Sequence, residues 1–310
     1  MQSGLVDEVI AVDKRASGGP GRALARLRAE TWDLILCPHE SPRTALWMAR
    51  LRARQAKVGF RQWWNGFAFS NRVVKPRDFP DALRQLSLLA PVDGRLAELF
   101  GDEELQLLRS PDVRGGLVDF TRQPIPEWAS MRLREPRPEG KRIFLAPGSV
   151  WETKKWTSAG YQNLARLLLQ RGFSVELVGA KAERELCESI AAKVPGVVNH
   201  AGRTSLAGLV DLLATGRALV CNDSGAMHAA AIVGLPTVAV FGPTTLALGF
   251  RPWNDRAVVV QKDLRCRPCG KHGGRRCPLG THECMEGISA LEVMRGLDLL
   301  FRKDAELGFS

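Results

Sequence analysis

A short polar segment follows an apolar run in the second half of the chain, and its residue types could bind an anion. Ala218–Cys221 predicts a buried strand and Ala226–Val233 predicts a helix. Asn222–Gly225, between them, consists of residues that favour turns and helix caps. The positive end of such a helix holds phosphates, and Ser224 and His228 would share one of its faces. A capping serine and a half-buried histidine explain the same pattern.

Three further segments place polar residues after predicted strands. In Pro147–Trp156, called the Lys154 loop below, a glycine allows close backbone approach and Lys154 supplies positive charge for a phosphate. Glu183, after the next predicted strand, could accept hydrogen bonds from ribose hydroxyls. Gly242–Thr245 follows the strand after the polar helix. Because parallel strands end at one edge of a sheet, these loops predict a single nucleotide-diphosphate site, without the GxxxxGK[ST] of a Walker A loop.

The C-terminal part contains cysteines with the spacing of metal ligands. Cys266 and Cys269 form a CxxC pair, and Cys277, His282 and Cys284 follow closely. Four thiolates from these cysteines would close a structural zinc site, and the basic residues around them would favour ionised thiols. A loop with free thiols or one disulfide is the alternative. A catalytic zinc is not expected, because a cysteine-rich set leaves no obvious open position.

Alternating strands and helices are predicted to position these loops in two α/β halves. In the first half, Leu5–Val12 and Trp32–Cys37 predict strands. Arg122–Lys141 is rich in Pro and Arg and predicts a linker. The predicted domains are therefore 1–140 and 141–310, with the polar loops and the cysteine cluster in the second.

The composition narrows the class of partner. The 310 residues are 45% hydrophobic and 25% charged, as in a globular protein, and the net charge is +11. That charge suits a nucleic acid, a nucleotide-sugar or an acidic membrane surface. A single Tyr argues against a surface that stacks nucleic-acid bases. No apolar run has the length of a membrane span and no export signal precedes the first predicted strand, so a cytoplasmic location is expected.

Several of these segments together resemble the ADP-heptose:lipopolysaccharide heptosyltransferases, which form glycosyltransferase family 9. NDSGAMHAAAIVGLPTVAVFGPT, from Asn222 to Thr244, looks like the family's C-terminal signature, and PGSVWETKKW looks like its donor-site loop. CRPC and CPLGTHECMEGIS resemble the cysteine-containing tail of heptosyltransferase II. The resemblance implies an α/β protein of the GT-B fold, with two Rossmann-like domains facing across a cleft and no catalytic metal. The cysteine zinc would then be structural only.

The resemblance also assigns roles to individual residues. Lys154 would contact the donor diphosphate and stabilise the leaving group, Glu183 would contact the ribose, and Asp223–His228 the diphosphate and heptose. The donor-binding residues predicted in this way are Ser149, Thr153, Lys154, Glu183, Asp223, Ser224, Gly225, Met227, His228 and Thr244.

One part of the family pattern is missing from the sequence. The family opens with a strand and a Gly-Asp turn whose Asp is the proposed catalytic base, whereas this chain starts at MQSGLVDEVIAV. Gly101–Asp102 stands in the wrong context for that role. The resemblance therefore predicts an incomplete first domain without its catalytic base.

The expected function is transfer of heptose from ADP-heptose to the heptosyl-Kdo-lipid A inner core of lipopolysaccharide, with inversion. The acceptor is anionic and membrane-bound, so the enzyme would lie at the inner face of the cytoplasmic membrane, with no nucleic-acid partner. A GT-B transferase for another nucleotide-sugar, or a nucleotide-sugar-binding protein without catalytic activity, are the alternatives.

Overall fold

The computed structural model describes residues 6–13, 18–100, 103–123, 125–126, 129–130, 132 and 136–306. The chain divides into two compact units, Met1–Arg109 and Ser110–Ser310. This division lies earlier than the boundary at 140 and 141 that the sequence suggests. The reason is a strand, β4 (Gly116–Asp119), which pairs antiparallel with β10 (Ala257–Gln261) of the second unit and so brings the preceding chain into that unit.

Part of the predicted linker is likewise bonded to the second unit. The backbone N–H groups of Arg137 and Glu139 donate to the carbonyls of Ala214 and Thr215. Where the structure describes it, this segment therefore lies against the second unit, because its backbone N–H groups form hydrogen bonds there.

The first unit contains a sheet of three parallel strands in the order β1-β2-β3. The strands are β1 (Thr31–Cys37), β2 (Arg52–Phe60) and β3 (Asn71–Val73). Its helices are α1 (Gly19–Arg28), α2 (Pro42–Arg50), α3 (Asp81–Leu86), α4 (Gly94–Leu99) and α5 (Glu103–Gln106). The predicted strand Trp32–Cys37 is confirmed as β1.

The predicted strand Leu5–Val12 is wrong in its described part, residues 6–12, which form no strand. Two of its apolar side chains lie outside any core, since Val6 is 50% and Val9 is 63% exposed. Apolar alternation predicts a strand only where a neighbouring strand and a core receive it.

The second unit contains a seven-stranded sheet in the order β4-β10-β9-β8-β5-β6-β7, parallel except for β4. Its remaining strands are β5 (Arg142–Ala146), β6 (Ser174–Leu177), β7 (Val198–Asn199), β8 (Ala218–Asn222) and β9 (Thr237–Phe241). From β7 to β10 this is the strand order of a Rossmann fold. The order reverses between β5 and β8, and ligands of such sheets bind at that switch point.

Helices cover both faces of this sheet. They are α6 (Ser158–Gln170), α7 (Arg184–Ala191), α8 (Leu206–Leu213), α9 (Gly225–Ile232), α10 (Glu283–Glu286) and α11 (Ala290–Glu306). One apolar cluster joins the sheet to α6, α7 and α11, and a second joins it to α8 and α9. Every residue of β8, β9 and β10 is buried, as expected for parallel strands packed on two sides. Among the described residues, no helix combines the length and apolar character needed to cross a bilayer.

Candidate functional site

A single buried residue joins the two strands at the switch point. Asn222, the last residue of β8, accepts hydrogen bonds from the Trp156 N–H at 2.9 Å and the Tyr161 hydroxyl at 3.2 Å. Its amide donates to the carbonyls of Pro147 at 2.9 Å and Gly148 at 3.2 Å. Asn222 therefore fixes both ends of the Lys154 loop. The sequence pattern predicted only a turn at Asn222; a polar residue at the end of a buried apolar strand was the available signal.

The Lys154 loop and the segment after β8 meet in a buried ion pair. Lys154 Nζ donates to Asp223 Oδ2 at 2.6 Å, and these side chains are only 8% and 4% exposed. The Thr244 hydroxyl donates to the same oxygen, also at 2.6 Å. A buried charge persists only when it is paired and hydrogen-bonded, and these contacts meet that requirement. The ammonium also lies 6.0 Å from the centre of the Phe250 ring. Lys154 is thereby held in one orientation.

The helix that follows β8 begins beside this pair. Ser224 is the N-cap of α9, in extended conformation, and its side chain makes no capping hydrogen bond. A Cβ built at Gly225 would meet no atom within 4 Å, so the backbone here borders open space. The first turn thus presents its positive dipole end toward the space above the strand ends.

Glu183 occupies the neighbouring strand end. Its Oε2 accepts a hydrogen bond from the Ala180 N–H at 2.7 Å. A Cβ at Gly148 would lie 2.0 Å from the Glu183 carboxyl carbon, and one at Gly179 would lie 2.9 Å from Oε2. Glycine is therefore required at both positions for the carboxylate to lie against the loops after β5 and β6.

These elements enclose a cavity of about 620 Å³. Seven of the ten predicted donor-site residues line it: Ser149, Lys154, Glu183, Asp223, Ser224, Gly225 and His228. The predicted convergence of the loops is therefore what the structure shows. A cavity of this size accommodates a nucleotide-sized ligand.

The other three predicted residues do not line the cavity. Thr153 turns its hydroxyl toward Gly274, donating to its carbonyl at 2.9 Å and accepting from its N–H at 2.7 Å. Met227 is fully buried in the apolar cluster on the α8 and α9 face, because it lies on the inner side of α9. Thr244 is also fully buried and acts through Asp223.

Several lining residues carried no signal that the sequence analysis used. Part of the cavity lining is apolar, in contrast to the charged part at Lys154 and Asp223. This apolar wall consists of Val178, which follows β6, and of Leu206 and Leu209 in α8. Leu206 is 76% exposed. Trp151, Thr204, Ser205, Phe250 and His272 also line the cavity.

His272 lies beside the charged part of the cavity. Partial burial lowers its pKa below the ordinary value of 6.5, and the Lys271 and Lys154 ammonium groups lower it further. Its ring centre is 5.8 Å from that of Phe250. At neutral pH His272 is therefore an uncharged, hydrogen-bonding edge of the cavity.

The predicted zinc ligands lie in a segment next to the Lys154 loop. Cys269, Cys277, Cys284 and His282 line a small cavity of about 60 Å³, and Cys266 is exposed nearby. Within the described ranges, no group of three or more His, Cys, Asp or Glu side chains already has the arrangement of a metal site. All seven cysteines are free thiols, so the alternative of a disulfide is not what the structure shows.

The sequence model of glycosyltransferase family 9 (heptosyltransferase) matches residues 21–278. The chain belongs to glycosyltransferase family 9. It is 34% identical over 162 residues to lipooligosaccharide heptosyltransferase 2 of Campylobacter jejuni. The aligned segment covers 50% of this chain and 50% of the relative. The chain spans about half the length of the curated relatives it matches.

Solved structures of family 9 proteins share the fold. The family 9 glycosyltransferase of Veillonella parvula matches with a TM-score of 0.69 and 18% identity, over 96% of this chain and 83% of its own. Heptosyltransferase WaaC of Escherichia coli, solved with ADP, matches with a TM-score of 0.63 and 17% identity, over 93% and 79%. The predicted α/β class and GT-B fold are confirmed by these likenesses.

Proposed function

We propose that this family 9 protein is an inverting glycosyltransferase that moves heptose from ADP-heptose to the heptosyl-Kdo-lipid A inner core of lipopolysaccharide. The observation that carries the proposal is the buried Lys154–Asp223 pair beside the start of α9, at the switch point of a Rossmann sheet. This arrangement places an ammonium donor and the positive end of a helix where such folds bind nucleotide phosphates.

The cavity offers a distinct partner for each part of an ADP-sugar. The diphosphate lies against Lys154 and the first turn of α9, which supply positive charge. Glu183 accepts hydrogen bonds from the ribose hydroxyls. The adenine lies on the apolar wall formed by Val178, Leu206 and Leu209.

Catalysis follows from that placement. In the transfer, the acceptor hydroxyl oxygen bonds to the anomeric carbon of the heptose while the bond from that carbon to the diphosphate oxygen breaks. The hydroxyl proton passes to water, and negative charge grows on the departing ADP. Lys154 and the first turn of α9 line the cavity in which that charge grows, so they stabilise the transition state with little reorganisation. Asp223 and Thr244 hold the ammonium in this orientation. The protein thus supplies the positive charge from its own groups, and the proposal requires no cofactor for the transfer.

The acceptor and location follow from charge. The net charge of +11 attracts an acceptor that carries carboxylates and phosphates in a membrane. We place the protein at the inner face of the cytoplasmic membrane, as a peripheral protein, and assign it no nucleic-acid partner.

The first experiment is the shift in melting temperature of the 310-residue chain with ADP, UDP and GDP. Binding to the native state must stabilise it, so a shift with ADP alone is expected. A preference for UDP or GDP would redirect the proposal to another nucleotide-sugar.

Transfer is then assayed with ADP-heptose and a heptosyl-Kdo-lipid A acceptor, using a chain extended to the length of the relatives. Heptose on the acceptor is the expected product. Nucleotide binding without any transfer by that extended chain would instead support a binding protein without catalytic activity.

A further inference from the structure

The loop between β2 and β3 of the first unit exposes two large aromatic side chains. Within residues 61–70, Trp63 is 93% and Phe67 is 60% exposed. The core of this unit does not use these two rings, because Trp64 and Phe69 are the aromatic residues of the loop that pack into its apolar cluster. Single exposed apolar side chains are ordinary on a protein surface, but that background does not explain two aromatic rings on one short loop.

Hydrogen bonds anchor this loop to the rest of the first unit. Asn65, which is only 2% exposed, donates from its amide to the Phe60 carbonyl at 2.9 Å and accepts from the Gln62 N–H at 3.0 Å. The Gln62 side chain donates to Glu40 Oε1 at 2.8 Å. The two exposed rings therefore belong to a loop with a defined conformation, which holds them in water at a cost that a binding partner would remove.

Positive charge accompanies the two rings. Arg61 and Arg72 are exposed, and no ion pair within the described ranges includes either of them. The Arg72 guanidinium lies against the loop, because its Nη1 is 3.5 Å from the Gln62 carbonyl oxygen and 3.3 Å from the position of a Cβ at Gly66. Residues 52–77 contain seven Lys and Arg and no Asp or Glu. The surface called the aromatic patch below consists of Arg61, Trp63, Phe67 and Arg72.

We propose that the aromatic patch binds the surface of an anionic lipid bilayer. Aromatic rings favour the headgroup level of a membrane, and arginines beside them gain from the negative surface potential of acidic phospholipids. A protein interface needs a broad, closely packed face, whereas a ring that stands almost wholly clear of its neighbours enters lipid by itself. The choice of a bilayer as partner rests on the proposed function, which places the protein at a membrane.

The test is flotation of the purified 310-residue chain with vesicles of equal parts phosphatidylethanolamine and phosphatidylglycerol, without nucleotide or acceptor. Binding is expected, and it should weaken as salt is added, because ions screen the arginines. Trp63→Ala should lower the partition coefficient by roughly tenfold or more, since that ring no longer leaves water. Arg61→Gln should lower it by roughly fivefold. Vesicles of phosphatidylcholine alone should bind severalfold less of the unchanged chain, because they lack the negative surface potential.

Two variants in the same unit serve as matched controls. Leu107→Ala removes an apolar side chain that is 73% exposed but lies outside the aromatic patch. Arg54→Gln removes one positive charge that is already paired with Asp33 and lies roughly 20 Å along β2 from the end of that strand. Both controls should bind vesicles as the unchanged chain does. All four variants should keep the melting temperature, because every replaced side chain is exposed.

Each outcome decides the inference. Equal partitioning of Trp63→Ala and the unchanged chain would overturn it, as would equal binding to phosphatidylcholine vesicles. Dimers that Trp63→Ala dissociates, in a chain that binds no vesicles, would assign the rings to a second copy of the chain instead. An ADP-induced melting shift without vesicle binding would overturn the aromatic patch and leave the proposed function standing. Vesicle binding that depends on Trp63, with no ADP shift, would support the patch and contradict the proposed function.

Discussion

Two walls of the cavity at the strand ends of the second unit, the proposed donor site, are built in opposite ways. On the charged wall, Lys154 and Asp223 are buried, and side chains from neighbouring loops hold them within hydrogen-bonding distance. On the apolar wall, Leu206 is 76% exposed at the start of α8. In the proposed transfer the charged wall must be rigid, because a charge stabilises a leaving group only when it is already in position. The apolar wall needs only surface, because the hydrophobic effect is not directional.

The largest effect on stability is expected at the charged wall. Asp223→Asn leaves the Lys154 ammonium buried without a carboxylate. Removing one partner of a buried ion pair costs about 3–5 kcal/mol, so the free energy of unfolding should fall by that amount in denaturant melts. Lys155→Met is the matched control, because Lys155 pairs with exposed Glu152 and such pairs contribute ~1 kcal/mol or less. Equal losses of unfolding free energy in both variants would show that the buried Lys154–Asp223 pair contributes no more than the exposed Lys155–Glu152 pair.

A smaller loss is expected from Asn222→Ala. The Trp156 N–H and the Pro147 and Gly148 carbonyls would lose their partner, which costs about 1–3 kcal/mol for buried groups. The ADP-induced melting shift should also decrease, because the Lys154 loop is released. Asn254→Ala, another buried asparagine with two backbone partners, should lose similar stability and keep the shift. A full ADP shift in Asn222→Ala would show that the loop does not depend on this residue.

Gly148→Ala tests the close contact between the Lys154 loop and the Glu183 carboxylate. The added Cβ would overlap the Glu183 carboxyl group, so that flexible side chain must move and lose its hydrogen bond from the Ala180 N–H, at a cost of about 0.5–1.5 kcal/mol. Weaker ADP binding should accompany it. Gly94→Ala in α4 has open space around its Cβ and should change neither quantity in calorimetry. Unchanged ADP affinity in Gly148→Ala would argue against a ribose contact at Glu183.

The smallest effect on stability is expected at the apolar wall. Leu206→Ala should change the free energy of unfolding by ~0.5 kcal/mol or less, because the side chain is exposed. Its affinity for ADP should nevertheless fall, by roughly tenfold at most. Titration calorimetry separates the two quantities. An unchanged affinity would place the adenine elsewhere in the cavity.

Much of the donor site could be predicted from local pattern. Apolar runs that end in polar residues correctly predicted β5, β8 and β9. Because parallel strands end at one edge of a sheet, the loops after these strands were expected to meet. Met227, which the resemblance assigned to the donor site, lies in the core instead, because it is on the inner side of α9. Thr153 was misplaced because its partner, Gly274, is distant in sequence. The strand predicted over Leu5–Val12 is absent from its described part, residues 6–12, because a strand requires a neighbour that sequence alone does not show.

The sequence by itself determined the α/β class, the positions of the polar loops and the family, since periodicity and local residue type are properties of short segments. Tertiary structure decided which polar groups act together. The Lys154–Asp223 pair, the Asn222 contacts and the bonds between Thr153 and Gly274 each join residues far apart in sequence. Their orientation depends on packing and burial, because a buried polar group is stable only where the fold brings it a partner.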